Sequence, residues 1–170
     1  MVDPPTSHPD PDAGAERDRQ LAGYASALAD AVDAALASWV RRSVTTRCAQ
    51  SGTEWTTELS TATEQAAETC VAVIGADVRA LLSEDPDDQR TTPLSLLRGA
   101  VQYPTAVLAG AAVPAVRRDE FRERTFPDDP YDLTPAGFRD IDESLQEPGL
   151  VWGAAKAHVH LARRRDEGRR

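Results

Sequence analysis

The chain has 170 residues and a formal net charge of −9 at pH 7. This length suits a single domain whose hydrophobic core needs no disulfide or metal. The acidic balance argues against a general nucleic-acid binder, which needs clustered cations, and favours a basic partner or simple solubility. No apolar run approaches about 20 residues and the N-terminus lacks a basic-then-apolar pattern, so the sequence predicts a cytoplasmic protein without membrane contact.

The first half of the chain reads as a tail followed by two helices. Residues 1–15 are rich in proline and aspartate and offer almost nothing to bury, which predicts a disordered tail. A single helical domain is expected over 16–165, followed by a frayed basic C-terminus over 166–170. Apolar residues at spacings of three, four and seven predict one helix over about 16–50 and a second over about 53–82.

A short turn is expected between these two helices. Ser51-Gly52 is predicted to end the first helix, with glycine in the left-handed position, and Thr53 to cap the second. Because the connection is short, the helices are expected to fold back antiparallel. A regular stripe on the second helix would contain Asp77, so its buried face is expected to rotate there. That stripe is Leu59, Ala62, Ala66, Cys70, Val73, Asp77 and Leu81, rotating towards Ile74, Val78 and Leu82.

Several residues of these helices are expected to serve packing. Cys48 and Cys70 would lie around 20 Å apart along such a hairpin at 1.5 Å per residue. A disulfide needs Cα atoms within about 7 Å, so both are predicted to be unpaired thiols. Trp39 and Trp55 lie towards the turn and are expected to fill volume that alanine leaves empty. Isolated glycines in helical context predict close packing; they are Gly75, Gly99 and Gly110.

Proline punctuates the second half of the chain. Thr92-Pro93 is typical of a helix start, Pro104 predicts a kink or two short helices meeting there, and Pro114 ends that segment. Short helices and a final helix over about 148–165 are expected beyond it. The predicted fold is therefore all-α: a helical bundle built on a long antiparallel helix hairpin, with short helices and Pro-rich turns capping one end.

The stretch Phe126–Pro135 (FPDDPYDLTP) stiffens its backbone with three prolines. Its aspartates Asp128, Asp129 and Asp132 admit two interpretations. They suit a hard cation such as Mg²⁺ or Ca²⁺, which binds several oxygens. They also suit turns in which aspartate accepts local backbone N–H bonds, and this interpretation is favoured because the EF-hand spacing is absent.

Two histidines raise a catalytic alternative. His158 and His160 are two residues apart, about 200° around a helix, which argues against both binding one metal ion. His158 working with Asp132, Asp140 or Asp142 as general acid and base is the catalytic hypothesis. A hydrogen-bonded core histidine is the favoured interpretation. The sequence contains no Gly-x-Ser-x-Gly elbow and no phosphate-binding glycine motif.

The leading hypothesis is a non-enzymatic intracellular interaction or regulatory protein whose contact surface lies in residues 114–147. Aromatic residues and arginine concentrate binding energy at interfaces. The candidate contact residues are Phe126, Tyr131, Phe138, Arg117 and Arg118. We expect a protein partner or a homodimer through the hairpin, and no cofactor. The alternatives are a small metal- or acid/base-dependent enzyme using His158 and the aspartates and, on the terminal arginines alone, a nucleic-acid accessory factor.

Overall fold

The computed structural model describes residues 11–84, 90–115, 129–135, 141–142, 164 and 167–168. Most of these residues are helical and none of them forms a strand, which confirms the all-α class. No helix within this part of the chain is long and apolar enough to cross a membrane. The helices are α1 Pro11–Ser51, α2 Thr57–Cys70, α3 Ala76–Ser83, α4 Pro93–Gly99 and α5 Gln102–Gly110, and a π-helical turn Val71–Gly75 joins α2 to α3.

Two different capping motifs set the end of α1 and the start of α2. Gly52 has φ 70°, which confirms the predicted left-handed stop. The N–H of Thr53 donates to the Cys48 carbonyl at 2.9 Å and completes a Schellman motif. The prediction that Thr53 caps α2 is therefore wrong. The N-cap is Thr56, whose Oγ1 accepts a hydrogen bond from the Leu59 N–H at 3.2 Å.

The segment from α2 to α3 runs back along α1. Near the turn, Arg41 of α1 forms a bidentate salt bridge with Glu64 of α2, with N···O distances from 2.7 to 3.0 Å. Farther from the turn, Arg79 of α3 pairs with Asp30 at 3.2 Å and also with Asp33. In these ion pairs the residue number of the α1 partner falls as that of the other partner rises.

The π-helical turn explains where the buried stripe of this segment changes register. A π turn takes one residue more than an α turn. Buried positions therefore occur one residue later than in a regular helix, at Ile74, Val78 and Leu82, and Leu81 of the regular stripe is buried as well. The predicted rotation away from Asp77 is confirmed, whereas Val73, which was expected on the buried stripe, is 45% exposed.

Glycine at the end of the π turn allows α1 to approach closely. A Cβ on Gly75 would overlap Asp33 Oδ1, so the prediction of close packing is confirmed at this position. On Gly99 a Cβ would make an ordinary contact, 3.5 Å from Ile74 Cδ1. On Gly110 it would meet nothing within 4 Å, so the packing prediction is wrong there.

Thr92 and Pro93 begin α4 as predicted. Thr92 Oγ1 accepts a hydrogen bond from the Ser95 N–H at 3.2 Å, and Ser95 Oγ accepts one from the Thr92 N–H at 3.3 Å, a reciprocal capping box. Two short helices do follow, but they meet at residues 100–101 rather than at Pro104. Pro104 stands in the first turn of α5, where its missing N–H leaves no helical hydrogen bond unmade.

Buried side chains form two clusters along α1. One cluster joins α1 to α2, α3 and α4. The other joins the end of α1 to α2, α5 and the loop 129–135, and it consists of Val44, Cys48, Leu59, Val107, Leu108, Val113 and Tyr131. Trp39 is buried as expected, but Trp55 is 44% exposed, so the prediction that it fills interior volume is wrong.

Both cysteines are buried free thiols, as predicted. Burial raises the pKa of Cys48 and raises the pKa of Cys70 to about 12. The thiolate is the reactive form of cysteine. Burial therefore favours the less reactive thiol form of both side chains, and both pack in the core.

Candidate interaction surface

Asp129 organises the loop 129–135 through its own carboxylate. The side chain is only 3% exposed. Its Oδ1 accepts a hydrogen bond from the Tyr131 N–H at 3.1 Å, and its Oδ2 accepts from the N–H and the hydroxyl of Thr134, both at 2.8 Å. Both oxygens therefore hold the local backbone, which is the geometry that the turn interpretation of this aspartate requires.

Tyr131 anchors the same loop to two helices. The residue is 5% exposed, and its hydroxyl donates to the Val113 carbonyl at 2.9 Å, just after α5. Arg47 of α1 donates to the Tyr131 carbonyl. Burial, followed by the nearby Cys48 thiol, raises the pKa of Tyr131. This aromatic candidate for partner contact thus lies inside the molecule and fixes the position of the loop.

Asp132 is the exposed residue of the loop. Its φ of 57° is a left-handed conformation that aspartate tolerates. It lines a small cleft of about 280 Å³ together with Arg42 and Arg47 of α1. Arg42 donates to the Ile141 carbonyl at 2.8 Å, as Arg47 does to the Tyr131 carbonyl. Both arginines therefore hold C-terminal backbone against α1.

The described residues contain only part of the predicted catalytic and metal-binding sets. No group of three or more His, Cys, Asp and Glu side chains in this part of the chain is placed to hold a metal ion. Asp142 is half-buried next to Ile141. Joint use of Asp132, Asp142 and His158, or a cation at the three aspartates, stays a prediction. The candidates outside the described residues are Asp128, His158, Phe126, Phe138, Arg117 and Arg118.

Two adjoining open clefts lie between α2 and α5, and together we call them the α2–α5 groove. One has a volume of about 640 Å³ and the other of about 500 Å³. Ala106 and Val107 line both clefts. The α2 side is lined by Glu58, Leu59, Ala62, Gln65, Ala66 and Thr69, and the α5 side by Gln102, Tyr103, Ala106, Val107, Gly110 and Ala111.

Small residues create this groove. Ala62 and Ala66 on α2, and Ala106 and Gly110 on α5, are each four residues apart and so share one face of their helix. A methyl group or a hydrogen atom fills less of the space beside two packed helices than a longer side chain would fill. Val107, which lines both clefts and is largely buried, forms the floor.

Negative charge marks one end of the groove. Glu54 and Glu58 line the larger cleft, and no lysine or arginine among the described residues lines either cleft. The pKa of Glu58 lies below its usual value, because its carboxylate accepts hydrogen bonds from its own backbone N–H and from the Thr56 side chain. Trp55, between Glu54 and Thr56 in the chain, is the most exposed described aromatic side chain at this end.

Sequence reasoning missed the groove because it assigned alanine and glycine to helix packing. One signal was present in the chain: small residues recur every four positions on two helices, and one of them is a glycine that no close contact requires. No pattern in the sequence predicted that Trp55 is exposed, because a tryptophan beside a predicted turn is equally compatible with burial.

None of the family models, curated proteins or solved structures compared with this chain matches it. The proposals below therefore depend on the geometry and chemistry of the chain's own residues.

Proposed function

We propose that this chain is a non-enzymatic interaction protein that binds a protein partner through the α2–α5 groove. The observation that carries the proposal is the groove itself, an open channel of small side chains with an apolar floor between two helices. Grooves of this kind are a recurring means of recognising protein segments. The function class is the one favoured by the sequence, with the contact surface moved from residues 114–147 towards α2 and α5.

The loop 129–135 belongs to the contact surface predicted from the sequence. In our proposal this loop instead holds the end of α5 in position. Tyr131 bonds the carbonyl of Val113, three residues after the last residue of α5. The C-terminal end of α5 lines the larger cleft through Gly110 and Ala111. In our proposal the proline-braced turns therefore hold one wall of the groove in place rather than contacting the partner with their own aromatic rings.

A long antiparallel helix hairpin is the scaffold of the proposed binding protein. Its support is the pairing of Arg41 with Glu64 and of Arg79 with Asp30 and Asp33 across α1 and the returning segment. Ion pairs at least partly exposed to solvent contribute little to stability, so these pairs indicate register more than stability. The stability of this scaffold is expected to come from the two buried clusters.

A matched pair of variants tests the proposed function. Ala106 and Ala109 are both exposed alanines of α5, but only Ala106 lines the groove. We expect proteins that co-purify with the wild type from its own cells to co-purify with Ala109→Gln and to be lost with Ala106→Gln. Purified partner and variants should reproduce the difference by calorimetry. Recovery of the same proteins with both variants would contradict a binding role for the groove.

The enzymatic alternative has a separate test. A thermal-shift series of the purified protein against Mg²⁺, Mn²⁺ and Zn²⁺ should be flat when no catalytic metal site exists. A rise of several degrees at micromolar metal would favour the enzyme, because a ligand that binds only the folded state stabilises it.

A further inference from the structure

We infer that the partner segment in the α2–α5 groove is an amphipathic helix with a stripe of small and apolar residues and with lysine or arginine at the end that lies over Glu54 and Glu58. This inference rests on the proposed function and adds the shape and charge of the ligand. Its supports are the dimensions of the groove, the nature of its walls, its charge and the residue at position 110.

The dimensions suit about three turns of helix. On α2 the lining residues extend from Glu58 to Thr69. Eleven residues at 1.5 Å each give a channel of about 16 Å, which is the length of three α-helical turns. Alanine and glycine along both walls let a third helix axis approach to the usual distance of about 8–10 Å.

The walls argue against the other ways of binding an extended segment. Both walls are α-helices, whose internal N–H and C=O groups are already hydrogen-bonded, so a bound strand would find no edge to pair with. Proline-rich ligands bind grooves lined by several aromatic rings, whereas Tyr103 is the single aromatic residue among the described residues that line these clefts. A helix needs only side-chain contacts, which is what this groove offers.

The charge of the groove favours a basic segment over a second copy of this chain. Two glutamates line one end, and within the part of the chain that the structure describes no cation lines either cleft. A second copy presenting its own α2 would bring Glu58 and Glu68 of an acidic helix surface towards the same carboxylates, on a chain with net charge −9. Like charges in contact disfavour that pairing, whereas a cationic flank complements it.

Gly110 lies in a part of the groove where the packing of the free protein does not require a glycine. Its φ is not in the left-handed region, and a Cβ there would meet no atom within 4 Å. Glycine at a helical position lowers stability relative to alanine. The close approach of a ligand helix explains why the smallest residue stands here, because a Cβ at this position would project into the ligand's place.

The test uses fluorescence anisotropy with two labelled helical peptides of about 14 residues, a length that spans the groove at 1.5 Å per residue. Both carry the same alanine and leucine stripe. One has lysine at its ends and the other has glutamate. We expect the lysine peptide to bind the wild-type protein about tenfold more tightly than the glutamate peptide, a difference of the size that rim charges produce.

Five variants distinguish binding in the groove from general attraction to an acidic protein. Glu54→Gln combined with Glu58→Gln should weaken lysine-peptide binding about three- to tenfold, whereas Glu68→Gln, on α2 but outside both clefts, should change it by less than about twofold. Ala106→Gln should weaken binding about tenfold and Ala109→Gln should leave it unchanged. Gly110→Ala should weaken binding and raise Tm together, a combination that damage to the fold would not produce.

The outcomes distinguish this inference from the proposed function. Equal affinity for the two peptides, or equal effects of the glutamine substitutions at positions 54, 58 and 68, would overturn the basic-helix inference even if Ala106→Gln still abolishes partner capture. Failure of the lysine peptide to bind would overturn it as well. A dimer at micromolar concentration that Ala106→Gln disrupts would identify a second copy as the occupant and also overturn it.

Discussion

The ends of α1 and α5 carry the same Schellman motif with different residues in its left-handed position. After α5, the N–H of Val113 donates to the Leu108 carbonyl at 3.0 Å and the N–H of Ala112 to the Ala109 carbonyl at 3.1 Å. Ala112 has φ 52°, whereas the equivalent residue after α1 is Gly52, with φ 70°. A left-handed residue with a Cβ crowds the following carbonyl oxygen, and glycine avoids this strain.

We predict that Ala112→Gly stabilises the protein by about 1 kcal/mol. The left-handed conformation costs alanine roughly 1–2 kcal/mol. The greater freedom of glycine in the unfolded chain offsets about 0.4–1 kcal/mol of the gain. Gly52→Ala should destabilise by a similar amount. A change of 1 kcal/mol corresponds to about 2–4 °C in Tm for a chain of this size, and the double variant should return close to the wild-type value if the two motifs are independent.

Thermal and urea unfolding followed by circular dichroism checks these values. Ala109→Gly is the matched control, because it places glycine inside α5, where glycine costs about 1 kcal/mol relative to alanine. Ala112→Gly should raise Tm, and Ala109→Gly should lower it. If the two substitutions lower Tm by the same amount, left-handed strain at position 112 is absent and the reasoning is refuted.

Gly75→Ala is expected to lower the free energy of unfolding in urea by about 1–3 kcal/mol, because overpacking forces neighbours to move. The overlap is with Asp33 Oδ1, so adding Asp33→Ala should recover part of that loss. Tyr131→Phe should cost about 1–3 kcal/mol in the same assay, because it leaves the buried Val113 carbonyl without its hydrogen bond. Glu58→Gln should lower Tm at pH 7 but not in strong acid. The folded pKa of Glu58 is depressed, so its contribution is present above the ordinary value of 4.5 and is lost as the pH falls through the folded pKa.

Each of these three substitutions has a control elsewhere in the described chain. Gly99→Ala, the control for Gly75→Ala, places a Cβ at ordinary contact distance. Tyr103→Phe, the control for Tyr131→Phe, removes a hydroxyl from a less buried tyrosine. Glu68→Gln, the control for Glu58→Gln, neutralises a carboxylate away from the start of α2. The proposed cause is contradicted if a control changes stability as much as the substitution to which it is matched. It is also contradicted if the effect of Glu58→Gln on Tm persists in strong acid.

The features that the sequence predicted correctly are those decided within a few residues of chain. The left-handed stop at Gly52 and the helix start at Thr92-Pro93 depend on local backbone preferences and on hydrogen bonds between residues three to five apart. The helical class follows from apolar spacing over long segments. The turn-forming role of Asp129 follows from the reach of its own side chain.

The features that the sequence did not predict depend on which distant segments meet. The groove is lined by Ala62 and Ala66 from one helix and by Ala106 and Gly110 from the other, and composition cannot distinguish small residues that pack closely from small residues that line an open cleft. The burial of Tyr131 depends on Val113, eighteen residues away along the chain. Thr53 and Thr56 are both good caps, and the choice between them depends on where the Schellman motif of α1 ends.

The wide turn at Val71–Gly75 has a consequence for how this chain tolerates changes of length. Because it contains one residue beyond the α-helical repeat, shortening it by one residue converts it to ordinary helix and leaves the flanking faces aligned. Loss of Ala72 or Val73, both exposed, should therefore keep Val78 facing the interior. The helix Thr57–Cys70 contains no such additional residue. Loss of a residue there would rotate the helix faces on either side of the deletion by about 100° relative to each other. We therefore expect a variant with one residue deleted from the wide turn to fold, and a variant with one residue deleted from Thr57–Cys70 to be destabilised.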